Sequence, residues 1–128
     1  MKCAAFSKPI NLQSAGLIYR SVVYVTDVVR GILFILFRGH DGEAYNIANE
    51  YVSIREFAET AVRVATDENV FIEYANPSDK NIYENRPKCG SMSIKKISEC
   101  GWRPEVSLEN GIAMSMSIQK EMGKNVCF

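Results

Sequence analysis

Chemistry-bearing residues are scarce in this chain. It has one histidine, His40, and four cysteines, Cys3, Cys89, Cys100 and Cys127, with no CxxC spacing and no second close pair to complete a zinc site. Reduced thiols are therefore expected, and no metal. Neither sign of charge is in excess: 15 Lys and Arg balance 15 Asp and Glu. That gives no reason to expect a nucleic acid or a membrane surface as partner. The longest apolar run, Ile32 to Phe37, is far too short to span a bilayer. The opening MKCAAFSKPI has none of the long apolar core of a secretory leader, and a cytoplasmic location is expected. No glycine-rich strand-to-helix turn is visible, so no cradle for a dinucleotide pyrophosphate is expected. No tyrosine is followed four positions later by a lysine. His40 sits in a polar turn between Gly39 and Asp41; without an orienting partner it reads as an exposed loop residue and not as a base.

What is present is a globular composition, 47% hydrophobic and 23% charged over 128 residues, enough for one domain with a core. Ile10 to Leu12 reads as a short strand, Ser14-Ala15-Gly16 as a turn, and the β-branched stretch Ser21 to Val25 as a second strand. Thr26 or Asp27 is placed to cap a helix that runs to Gly39. Its apolar residues point in most directions, which predicts burial on two faces. After the Asp41-Gly42 turn, Ala44 to Ala48 reads as a buried strand. Ser53-Ile54-Arg55-Glu56 is a capping box, and Ile54, Phe57, Ala58, Ala61, Val62 and Ala65 behind it mark one face of a helix. Val70 to Tyr74 alternates like a strand. Ala75 to Gly90 reads as a long loop, a kind of segment that is often functional. Ser93 is placed to cap a short helix from Ile94 to Glu99, with Gly101 past its end. Ser107 is placed to cap a last helix, Leu108 to about Glu121, in which Gly111 costs about 1 kcal/mol relative to alanine. Met114 and Met116 read as helix packing. Tyr45 and Asn46 read equally as core and edge residues.

Two arginines stand out as candidates for phosphate. Arg20 lies at an element end and Arg86 in the long loop, and a guanidinium offers a planar fork of donors that suits phosphate oxygens. The residues alone carry the reading no further than an α/β domain with a long loop and two suggestive arginines.

Four segments, in order, resemble the extended short-chain dehydrogenase/reductase family. They are Arg20-Ser21-Val22-Val23-Tyr24-Val25-Thr26-Asp27, Gly42-Glu43-Ala44-Tyr45-Asn46, Val52-Ser53-Ile54-Arg55-Glu56, and Cys100-Gly101-Trp102-Arg103-Pro104 with the helix after it. They span the chain from about Lys8 to Glu121 and are most similar to the family's bacterial nucleotide-sugar epimerases and dehydratases. The resemblance implies a small mixed α/β lobe at the C-terminal end of a two-lobed enzyme. Residues 1–128 would be that nucleotide-sugar-binding lobe, and the N-terminal NAD-binding Rossmann domain, with its Tyr-x-x-x-Lys pair, would lie outside them. It implies that Arg20 and Arg86 contact the diphosphate of a UDP- or dTDP-sugar, and that Ile10, Asn11 and Leu12 lie along the nucleobase and ribose. NAD would belong to the parent enzyme, with none bound by this chain, which alone would not be catalytic. The alternative is a non-catalytic stand-alone binding or oligomerisation module derived from the same lobe. With no Rossmann lobe to cover its helices, the chain is expected to form homo-oligomers.

Overall fold

A computed structural model describes residues 2–74 and 90–125. In chain order it runs α1 (Lys2–Ala5), β1 (Ile10–Leu12), β2 (Tyr19–Val22), α2 (Val25–Arg38), β3 (Glu50–Ser53), α3 (Ile54–Ala65), β4 (Ile72–Tyr74), α4 (Lys95–Glu99) and α5 (Leu108–Asn125). It is a mixed α/β lobe. β1 pairs parallel with β4, Ile10 opposite Ile72 and Leu12 opposite Tyr74. β2 pairs antiparallel with β3, Tyr19 opposite Ser53 and Val22 opposite Glu50. The two pairs share no strand.

α3 forms where its sequence predicts. Ser53 Oγ accepts the Glu56 amide at 3.0 Å, and the Glu56 carboxylate accepts the Ser53 amide at 2.6 Å, so the capping box closes in both directions. Its apolar face packs the main core. Ala61 is buried there with Ala4, Ala5, Val70, Ile112 and Met116, and Ile10, Phe57, Val62, Ala65 and Leu108 pack around them. Contact between α3 and α5 thus closes the core over β1. Outside that cluster Ala48, Ile97 and Trp102 are also buried, Trp102 beside α2 at Gly31. A β-carbon at Gly31 of α2 would come within 2.7 Å of the Ile47 Cδ1 and 3.4 Å of Trp102, so a side chain there would need the end of Ile47 to move.

Several expectations need correction. The second strand is Tyr19–Val22 and not Ser21 to Val25, because Tyr24 already caps α2 and Val25 is helical. Neither Thr26 nor Asp27 is the cap: both lie in the first turn of α2, and the Asp27 side chain bonds elsewhere. α2 is not buried on two faces. Val25, Val29, Ile32, Leu33, Leu36 and Phe37 are exposed, Leu36 by 73% and Phe37 by 79%. Ala44 to Ala48 is not a strand. Its composition suits one, but a strand needs a ladder partner, and none pairs with it among the described residues. Ser93 does not cap α4. Ile94 holds that position, and the Ser93 hydroxyl only reaches the Lys95 amide at 3.4 Å. α1 and β3 arise from segments that carried no signal of their own.

Other expectations hold. β1 and β4 occupy the two predicted strand segments. Gly42 and Gly101 have positive φ, 75° and 109°, at the predicted turn and helix exit. Ser107 Oγ accepts the Asn110 amide at 3.3 Å at the start of α5. Met116 is buried, whereas Met114 is exposed.

Candidate functional site

The candidate residues sit on two separate strand pairs, and the start of α3 joins them. The link between β1 and β2 folds onto that start. The Ile54 amide donates to the Ile18 carbonyl at 3.0 Å, and the Arg55 amide to Gly16 at 2.9 Å. Arg55 Nε donates to the Ala15 carbonyl at 3.0 Å. Gly16 has φ 70°, and a β-carbon there would lie 2.9 Å from the Arg55 nitrogen, so both its conformation and its approach call for glycine. Arg55 also lies over the ring of Tyr74, 5.3 Å from its centre. Tyr74 is the register partner of Leu12. The end of β1 and the entry to β2 therefore meet at one corner.

Ile10 packs on the core. Leu12 is half-buried and Asn11 exposed, so Asn11 is the side chain that β1 offers to solvent. Arg20 is half-buried on β2 opposite Val52. Its Nη1 donates to the neighbouring Tyr19 carbonyl at 3.0 Å, and among the described residues no carboxylate forms an ion pair with it. A guanidinium has five donors in all, and the Tyr19 carbonyl takes one of them. Next to it in sequence but on the other face of β2, with Tyr19, Ser21 Oγ accepts the Met92 amide at 2.9 Å and fastens residues 90–93 to that face. Asn46 Nδ2 donates to the Ser93 carbonyl at 3.1 Å and holds the same stretch. Arg86 lies outside the described residues. The described chain on either side of its segment ends at Tyr74, beside Leu12 in register, and resumes near Ser21. On the opposite face of β2 and β3, Tyr19 and Tyr51 stack at 5.2 Å.

A cavity of about 150 Å³ opens further along the Arg20 face, lined by Val22, Tyr24, Glu50, Phe57, Leu108 and Ile112 among others. It is mostly apolar, and its polar groups are engaged. Glu50 accepts the Leu108 amide at 2.6 Å, Asn49 Nδ2 donates to the Val106 carbonyl at 2.8 Å, and Ser115 donates to the Gly111 carbonyl at 2.7 Å. No cluster of three or more His, Cys, Asp or Glu could hold a metal among the described residues. His40 is exposed; its backbone amide donates to the Tyr45 hydroxyl at 2.9 Å and its carbonyl accepts the Glu43 amide at 3.3 Å. Tyr45 is half-buried under Lys96, whose ammonium lies 5.5 Å from the ring centre and bonds Glu43 at 2.5 Å. That bond holds the Glu43 carboxyl below its usual range and the Lys96 ammonium above its own. A nucleophile paired with a base is not found among the described residues.

No glycine-rich strand-to-helix turn occurs among the described residues. Of the strand-to-helix junctions described here, Val23-Tyr24 carries no glycine, and the other has its first-turn amide taken by Ser53.

Sequence reasoning missed two residues that build this region. Asp27 is wholly buried, and its Oδ2 accepts the amides of Glu105 and Val106 at 3.0 and 2.9 Å. Its Oδ1 pairs with Arg30 at 2.7 Å, and Arg30 also pairs with Glu105. The spacing of Asp27 and Arg30 was a visible signal for that pair. The bonds to Glu105 and Val106 had none, since those residues are remote in sequence. Arg55 was read only as part of a capping box.

No family model matches the chain. It is 31% identical over 114 residues to dTDP-D-glucose 4,6-dehydratase from Bos taurus. The match covers 86% of this chain and 32% of that relative, so the chain spans about a third of the length of the curated relatives it matches. Among solved structures, UDP-glucuronic acid 4-epimerase from Bacillus cereus, in complex with UDP-glucuronic acid and NAD, superposes with a TM-score of 0.75 at 22% identity. That match covers 94% of this chain and 38% of the epimerase. UDP-glucose 4-epimerase from Thermotoga maritima, with UDP-glucose, superposes at 0.74 and 20% identity, over 98% of this chain and 38% of that one. These structures share the fold of a partial lobe. In sequence and in fold the chain matches the C-terminal part of NAD-dependent epimerases and dehydratases of the extended short-chain dehydrogenase/reductase family.

Proposed function

We propose that residues 1–128 are the substrate-binding lobe of a cytoplasmic NAD-dependent nucleotide-sugar epimerase or dehydratase, and that they take the nucleoside diphosphate of a UDP- or dTDP-sugar. The observation that carries this reading is Arg20: a half-buried guanidinium, with no ion-pair partner among the described residues, held on a strand whose neighbouring corner presents the end of β1. Arg20 meets the diphosphate, and Ile10, Asn11 and Leu12 run along the base and ribose. Arg86 is the second phosphate contact. The binding of UDP-glucose and UDP-glucuronic acid by the two epimerases of like fold supports the ligand class.

The chain alone does not turn over substrate in this reading. NAD, which takes and returns a hydride in such chemistry, is held by a Rossmann lobe outside these residues. That lobe covers the apolar face of α2 and supplies the ladder partner that Ala44 to Ala48 lacks among the described residues. A second reading, a stand-alone binding or oligomerisation module, is favoured by that same exposed face. A reading frame upstream of Met1 encoding a glycine-rich turn and Tyr-x-x-x-Lys decides for the enzyme.

Calorimetric titration of dTDP-glucose and UDP-glucose into the chain tests the ligand. Saturable binding is expected, weakened about 10- to 100-fold by Arg20→Ala, the cost of losing a hydrogen bond to a charged group. Equal affinity of the variant and the native chain would remove Arg20 from the site.

A further inference from the structure

We infer that Arg55 is a positioning residue, one that sets the spacing between β1 and Arg20; the inference rests on the nucleotide-sugar reading above. Two sheets that share no strand have no ladder to fix their separation, so whatever bridges them does. Arg55 bridges them. Its amide and its Nε take successive carbonyls, Gly16 and Ala15, of the link that leads into β2. Its guanidinium lies over Tyr74, which is the register partner of Leu12 at the end of β1. Two residues before Arg55, Ser53 is the register partner of Tyr19, the neighbour of Arg20.

The contacts are not those of an ordinary surface ion pair. No carboxylate pairs with Arg55 among the described residues. Its planar group is used instead as a rigid spacer, one edge on a carbonyl and one face on a ring. The link it holds is also committed to this contact, because Gly16 closes on the Arg55 backbone too tightly for any other residue.

A ligand whose nucleoside lies on β1 and whose phosphates lie at Arg20 reads that spacing. A ligand touching one strand pair does not. The test uses the full 128-residue chain and three ligands, uridine, inorganic pyrophosphate and UDP, followed by chemical-shift titration. Arg55→Gln is expected to weaken UDP about 10-fold, from loss of a cation–π contact and a hydrogen bond, and Tyr74→Leu about 3-fold, from loss of the cation–π contact alone. Both should leave uridine and pyrophosphate unchanged. The double variant should be no weaker than Arg55→Gln alone, and Arg55→Lys, which keeps a cation over the ring, should recover part of the loss. Unchanged UDP affinity in Arg55→Gln overturns the inference. So does an equal fall for all three ligands, which is the mark of a merely structural residue. A native chain that binds none of the three overturns the nucleotide reading itself, and the inference with it, before any variant is made.

Discussion

A buried carboxylate is costly unless its lone pairs are met. Asp27 meets that condition with two backbone amides and Arg30, and so ties the first turn of α2 to the segment before α5. Asp27→Ala leaves those amides unpaired and is expected to cost about 3 kcal/mol of stability, measured by urea unfolding. Asp27→Asn should cost less, since one oxygen remains to accept. If Asp27→Ala unfolds at the native midpoint, the clamp is not what holds this corner. Gly111 makes a second test at this scale. Replacing a helical glycine by alanine normally gains about 1 kcal/mol. Here the added β-carbon would lie 2.9 Å from the Tyr24 ring, so Gly111→Ala is expected to destabilise the native chain and to stabilise a Tyr24→Ala background. A gain in both backgrounds would mean that the ring yields. The sequence shows the glycine and its cost. It does not show the ring from 87 residues earlier that explains it.

Elements whose signals are local were readable, and those that depend on a partner were not. α3 announced itself because the capping box and the apolar face are both its own residues. β3, also adjacent to that box, was missed, because Glu50–Ser53 becomes a strand only through its pairing with β2. Ala44 to Ala48 fails the other way, with strand composition and no ladder among the described residues. The apolar count of α2 predicts burial, because a sequence does not say what covers a helix face. The α3 cap also predicts a pH dependence. Hydrogen bonds from the Ser53 amide and hydroxyl region hold the Glu56 carboxyl below its usual range. A carboxyl depressed in the folded state contributes stability in full above its unfolded value, about pH 4.3. That stability is lost as the pH falls through the lower folded value. Glu56→Gln, which can still accept the Ser53 amide but cannot ionise, should therefore flatten this part of the acid unfolding curve by lowering stability at pH 7 and leaving it nearly unchanged in acid. Ser53→Ala should cost about 1 kcal/mol at every pH, the usual loss of a helix cap. An acid limb of unchanged slope in Glu56→Gln would show that the cap does not titrate.

At the scale of the whole molecule, the apolar stripe of α2 is the most conspicuous surface feature. Val25, Val29, Ile32, Leu36 and Phe37 recur at helical spacing on one exposed side. Exposed stripes of this kind drive association when nothing covers them. The chain by itself is expected to form dimers or larger species by light scattering, and Leu36→Glu with Phe37→Glu should shift it towards monomer without lowering its melting temperature. A native chain that stays monomeric at high concentration would show that the stripe does not self-associate. No described helix is long and apolar enough to cross a membrane. The fold was legible as a family likeness, since its landmarks recur in order along the chain. The site was legible only in part: Arg20 could be singled out, but the corner at Arg55 that places it beside β1 exists only in three dimensions. The measurement that bears most directly on the nucleotide reading is an amide chemical-shift map of the chain titrated with dTDP-glucose. Saturable shifts concentrated at Asn11, Leu12 and Tyr19 to Ser21 are expected. Saturation with the shifts confined to the outer face of α5, or no shifts at all at millimolar ligand, would contradict it.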